Sequence, residues 1–195
     1  MKHQTVVATV LLGGVLLWAA PAAAQQEEMA EAMAAWQQAG QPGAQHEHLA
    51  KYVGSWQAEG KMWMDPSGEP TTMSSTAEYR MIMDGRFLEE IITSDLMGQP
   101  FYGRGIYGYN NLTGEVQAVW IDNMSTGIYS YVGTINEAGD EIVLVGSYTD
   151  PVTMERGETR SVMTISENEI RSVAYQIVNG QEQKTMEVIA RRVRS

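Results

Sequence analysis

The feature that most constrains this chain is a change of period at Trp56. Before it, apolar residues recur at helical spacings. After it they alternate, with Trp56, Ala58, Gly60, Met62 and Met64 on one face and Gln57, Glu59, Lys61 and Trp63 on the other. Alternation of this kind is the mark of a strand buried on one side. The style then continues through segments near 72–83, 86–94, 100–109, 116–122, 126–135, 141–149, 158–165, 169–178 and 184–193. Asp65-Pro66-Ser67-Gly68, Asp84-Gly85, Met97-Gly98-Gln99, Asn110 to Gly114, Glu137 to Asp140 and Asn179-Gly180 separate them with turn chemistry. Short sequential joints favour antiparallel neighbours. About ten strands with little helix between them leave a sandwich or a closed barrel, and closure removes exposed strand edges. The expectation is an all-β, antiparallel up-and-down barrel of about ten strands, preceded by short helices.

Within it, residues 101–126 hold the densest mixture of glycine, aromatic and acidic residues. Gly103, Gly105 and Gly108 interrupt one strand, where a missing side chain signals a bulge, a bend or close backbone approach. Asn110, Asn111, Thr113 and Gly114 supply a turn. Trp120 and Asp122 then share a face of the next strand, an acid beside a large aromatic, as in a pocket wall. Several strands look polar on both faces, as where Ser74, Thr76, Glu78 and Arg80 take one side of the second strand and Ser75 and Tyr79 the other. A partly polar lumen of this sort suggests a wet ligand cavity or buried ion pairs.

The start of the chain reads as a targeting segment. Lys2 and His3 precede an apolar run from Thr5 to Ala20, and Ala22-Ala23-Ala24 forms a small-residue cleavage site before Gln25. The expected protein is exported, periplasmic or secreted, with no stable membrane span once residues 1–24 are removed. The net charge is −11 and removal of the leader deletes a base but no acid. Such a chain repels phosphate backbones, and no basic stripe offers a nucleic-acid surface. With no cysteine, the fold must rest on its core alone.

Residues 25–45 read as a helical arm and linker, with Met29, Met33 and Trp36 at helical spacing and Gly40, Pro42 and Gly43 ending it. A barrel domain is expected over 46–195. It opens on a short helix near 47–53 that carries Leu49, Tyr52 and Val53 and stops at Gly54.

The run Glu47-His48-Leu49-Ala50-Lys51-Tyr52-Val53-Gly54-Ser55-Trp56 resembles the opening of a lipocalin-like barrel, where a helical turn leads into Gly-x-Trp. Lys61 to Pro66, Asp84-Gly85-Arg86-Phe87-Leu88, Gly105 to Asn111, Trp120 to Gly127 and Lys184-Thr185-Met186-Glu187 resemble the family known as DUF1579. The resemblance covers about 46–192. It implies a lipocalin-like barrel and no assigned activity. It also implies that Trp56 stacks under an arginine of the last strand, Arg192 or Arg191, as a structural cation–π contact. One departure is Asn110, where the family usually has Asp in its Gly-Tyr-Asp turn.

Chemistry is sparse. His46 and His48 diverge on a helix and lack a third ligand apart from Glu47, which argues against zinc. No strand carries a histidine, which argues against His-ligated haem and against a nucleophilic triad; no cofactor is expected. Gly103-Arg104-Gly105 is followed by strand rather than helix, so it is no dinucleotide loop. Carboxylates remain. Asp122, Glu78, Glu89 and Glu90 could work as acid and base if two met across the lumen, with Arg80, Arg86 or Arg104 tuning them.

The first expectation is therefore a binding module for a small hydrophobic or amphipathic ligand. Its candidate residues are Trp63, Tyr109, Trp120, Met124 and Tyr129 near strand ends, with Arg86 and Asp122 fixing orientation. The alternatives are an enzyme using Asp122 with a neighbouring Glu or Arg, and an envelope interaction module acting through Met29, Met33 and Trp36.

Overall fold

The structure is a computed structural model that describes residues 20–96 and 98–194. Most of the expected leader thus lies outside the described residues. The chain divides into two compact units, the first ending at Gln38 and the second running from Ala39. The first unit contains most of helix α1 (Ala20–Ala39), on which Met29, Met33 and Trp36 are exposed.

The second unit contains α2 (Ala44–Ala50) and ten strands: β1 (Gly54–Met62), β2 (Thr71–Ile82), β3 (Phe87–Leu96), β4 (Gln99–Asn110), β5 (Glu115–Asp122), β6 (Tyr129–Ile135), β7 (Glu141–Thr149), β8 (Arg156–Ile165), β9 (Glu169–Val178) and β10 (Gln181–Arg192). Each strand pairs antiparallel with its sequence neighbours, and β10 returns to β1 to close the barrel. Closure runs in register from Trp56 opposite Arg192 to Met62 opposite Met186. Every backbone ladder is thereby satisfied without an open edge. The strand spans agree with the alternation to within a few residues, except that 126–128 form loop rather than strand.

One end is sealed. Gly43 N–H donates to His46 Nδ1 at 3.0 Å, starting α2, and buried His46 and Leu49 face the barrel. Tyr52 and Trp56 are fully buried, and the Trp56 indole N–H donates to the Tyr52 carbonyl at 2.9 Å. Arg192 holds this seal together. Its guanidinium carbon lies 4.0 Å from the centre of the Trp56 ring, and it donates to the carbonyls of Val53 (2.6 Å), Lys51 (2.9 Å) and Glu167 (2.9 Å). The arginine implied by the lipocalin resemblance is thus Arg192; Arg191 pairs with Glu169 instead. Gly54 has φ +133, and a Cβ there would sit 2.8 Å from Arg192 Nη1, so glycine is needed twice over.

The polar strand reads differently in three dimensions. Ser74, Thr76, Glu78 and Arg80 all face solvent, whereas Met73, Ser75, Ala77 and Tyr79 line the lumen. The reading of β2 is corrected accordingly: its polar run lies outside, and the polar groups of the mainly apolar lumen are Glu90 and scattered hydroxyls.

Candidate functional site

The alternation of ten strands aims one face of each into a cavity of about 370 Å³. That lies within the range of small-molecule sites, roughly 300–1,000 Å³. Its wall is built from Met62, Met73, Leu96, Phe101, Trp120 and Met186 toward the strand ends away from α2, and from Tyr79, Glu90, Tyr107, Leu144, Ile170 and Ala190 deeper in. The hydroxyls of Ser75, Ser94, Thr159, Ser161 and Ser172 punctuate it.

Room for this cavity comes from glycines on the inner faces. A Cβ at Gly103 would overlap the Trp120 ring, and one at Gly146 would meet Tyr131 at 2.5 Å. An aromatic ring can therefore lie flat across a neighbouring strand instead of projecting into the lumen. Strand β4 keeps unbroken register on both sides through Gly103, Gly105 and Gly108. Close approach, rather than a bulge or bend, explains these glycines. The barrel's register shift falls instead in β10, between Lys184 and Met186.

The floor holds a buried acid. Glu90 and Glu89 are consecutive, so they point to opposite faces of β3. Glu90 points inward, where one carboxylate oxygen accepts from the Tyr79 hydroxyl and the other from the Tyr107 hydroxyl at 2.6 Å. Gly105 stands over this group, and a Cβ there would lie 3.0 Å from Glu90 Oε2 and 2.9 Å from the Tyr107 ring. Burial pushes the Glu90 carboxyl above its ordinary range, and the two phenolic donors offset only part of that. Burial, reinforced by the field of Glu90, raises both Tyr79 and Tyr107 well above a normal phenol. Tyr52, 5.9 Å from Tyr79 ring to ring, is raised for the same reasons.

Glu89 shows the opposite balance. It lies on the outer face, itself buried, between the half-exposed side chains of Arg80 and Arg104. Burial alone would raise it, but the charge-assisted hydrogen bonds from Arg80 and from Arg104, whose Nε is 2.7 Å away, outweigh this and hold it below the ordinary carboxylate range. Glu78 is exposed on the outer face. Among the described lining residues Glu90 is therefore the single carboxylate, and none is Lys, Arg or His.

Of the residues singled out by sequence, Trp120 lines the cavity. Its indole N–H donates to Asp122 Oδ2 at 2.8 Å, while Asp122 Oδ1 accepts from the backbone N–H of Met124 (2.9 Å) and Ser125 (3.1 Å). The acid and aromatic sharing a face do meet, but the acid is occupied in fixing the β5–β6 loop. Met124 is exposed in that loop, and half-buried Tyr129 starts β6 opposite Trp120. Trp63 lies just beyond β1, under the Lys184 ammonium at 4.5 Å. Arg86 sits in the β2–β3 turn, donating to the carbonyls of Gly40 at 2.9 Å and Met83 at 3.2 Å. Tyr109 packs edge-on against His46, 6.1 Å between ring centres, at the sealed end.

Tyr79, Glu90 and Tyr107 were the part of the site that sequence reasoning did not assemble. One signal was available: Glu90 is an acid at an inward position of an alternating strand. Asn110 is explained locally. Its Oδ1 accepts from the N–H of Leu112 at 2.9 Å, an Asx turn that Asp would form equally well.

These features define a ten-stranded, closed up-and-down barrel with a lumenal cavity, sealed at one end by a helix and a tryptophan–arginine stack. The chain belongs to the family described as "Protein of unknown function (DUF1579)", whose model matches residues 41–192. No curated protein matches it. Among solved structures it is similar to Rv2717c from M. tuberculosis, with 20% identity and a TM-score of 0.59 over 79% of this chain and 100% of that one. At that identity the likeness concerns the fold.

Proposed function

We propose that the protein is a binding module that carries a small apolar or amphipathic molecule in its lumen. The observation that supports this most is the largely apolar lumenal cavity of about 370 Å³, with one buried carboxylate in its wall. At the roughly 30 Å³ a water occupies in the liquid, such a space suits a ligand of about a dozen non-hydrogen atoms. The basic start, apolar run and Ala22-Ala23-Ala24 support export, with action in the periplasm or outside the cell.

Native mass spectrometry on protein purified from the exported fraction tests both points. The expected result is a polypeptide mass starting at Gln25 and a stoichiometric small molecule released on denaturation. A mass retaining residues 1–24 would remove the export reading. Protein that neither carries nor takes up any apolar compound would remove the binding reading.

A second reading, acid–base chemistry on a small substrate, is favoured by Glu90 rather than Asp122. Glu90 is buried in the cavity with a raised pKa, whereas Asp122 is held by Trp120 and its own loop. Turnover abolished in Glu90→Gln but retained in Asp122→Asn would support it.

A further inference from the structure

We propose that the lumen selects amphiphiles bearing a protonated amine, with the ammonium on Glu90 and the apolar body toward Trp120 and Met62; this rests on the lumen-binding reading above. Three observations carry it. The first is the charge balance of the cavity. Glu90 is its single acid, and no cation is present among the described lining residues to neutralise it. A buried carboxylate without a counter-charge is unfavourable, and a ligand that brings the missing cation relieves that cost.

The second is geometry. An ionised carboxylate offers about four lone-pair positions. Tyr79 occupies one on one oxygen and Tyr107 one on the other, which leaves acceptor capacity on both. Gly105 packs close over Oε2, where a Cβ would lie only 3.0 Å away, so any larger residue would crowd the carboxylate. An ammonium, with three donors and no acceptor, matches that remaining capacity.

The third is exclusion of the alternatives. A carboxylate ligand would bring a second acid into a low-dielectric space beside Glu90, where both cannot ionise. A metal ion would find one carboxylate and two phenols, too few oxygens for calcium and without the geometry magnesium demands. The chain's net charge of −11 also raises the local concentration of cations rather than anions.

The groups facing Glu90 are Tyr52 from the α2–β1 joint, Tyr79 from β2 and Tyr107 from β4, all phenols that stay protonated through neutral pH. Glu90 is therefore the group that titrates, and its proton competes with the ammonium. A primary amine, like the lysine side chain near 10.4, keeps its charge across the same range. Amine binding should then strengthen as pH rises and should release a proton from Glu90.

The test is calorimetric titration of the purified protein with decylamine, decanol and decanoate at pH 4.5 and pH 8, on wild type and Glu90→Gln, with folding checked by circular dichroism. The expected result at pH 8 is decylamine at least about tenfold tighter than decanol, with decanoate weakest. In Glu90→Gln the amine and alcohol should come within about twofold of each other. If that variant fails to fold, the wild-type pH series decides: decylamine must gain on decanol between pH 4.5 and pH 8. Decanol binding as well as decylamine at both pH values would overturn this inference and leave the lumen-binding reading intact. Decanoate binding best would overturn it too. Failure of all three to bind would overturn both readings.

Discussion

Glu89 and Glu90 are adjacent in sequence, yet their substitution to glutamine should shift stability with pH in opposite directions. Glu89 is held below its ordinary pKa of 4.5 by Arg80 and Arg104. Its contribution is present above that value and is lost as pH falls through the lower, folded-state pKa. Glu90 is held above 4.5 by burial. The unfolded chain ionises first, so wild type loses stability as pH rises from 4.5 until Glu90 itself ionises in the fold. The loss accumulates at about 1.4 kcal/mol for each pKa unit separating the two states. Glutamine keeps the shape at both positions and cannot ionise. Near pH 7, Glu89→Gln should cost about 2 kcal/mol, taken from hydrogen bonds to charged groups and discounted because both arginines are half-exposed. For a domain of this size that is a fall in Tm of about 4–8 °C. The deficit should fade on going to pH 3. Glu90→Gln should instead gain on wild type from pH 4.5 upward, until Glu90 ionises in the folded protein. Thermal melts of the three proteins at half-unit intervals from pH 3 to pH 8 read both trends. Parallel trends, or differences that do not vary with pH, would refute the assignment of one glutamate to the outer ion pair and the other to a cation-free lumen.

Other outcomes follow from individual contacts. Gly103→Val should displace the Trp120 ring into the lumen, weakening uptake of a decyl-chain ligand at least about tenfold, read by calorimetry; unchanged affinity would mean the cavity does not depend on that packing. Arg192→Lys keeps the charge but loses the planar fork over Trp56 and three backbone carbonyls, and should destabilise by about 2–3 kcal/mol in denaturant melts. Asn110→Asp should stay within about 0.5 kcal/mol of wild type, because either side chain accepts from the Leu112 N–H.

The barrel was legible because closed antiparallel sheets leave strong local marks. Each strand carries period-two alternation, and each joint carries Gly, Asn, Asp or Pro. Gly54 and Trp56 flagged the sealed end, and the resemblance supplied its arginine partner. The site was legible only in part. Trp120 and Asp122 are two residues apart on one strand, so their meeting could be read locally. The Tyr79–Glu90–Tyr107 cluster unites β2, β3 and β4, and depends on register that no single segment reveals. Polarity on β2 misled for a related reason. Counting polar residues on both faces does not say which face is solvent, and the better-buried face carries Met73, Ala77 and Tyr79. Trp63 looked like a continuation of β1, but the strand ends at Met62 and the next residue turns to Lys184.

The most direct test of lumenal binding is a crystal structure of the protein with 10-bromodecanol, using the anomalous signal of bromine to place the ligand. Binding in the cavity predicts a bromine peak inside the barrel, among Met62, Phe101, Trp120 and Met186. A peak confined to the outer face, over exposed Val119, Ile121, Val132 and Val145, with the lumen empty, would contradict it.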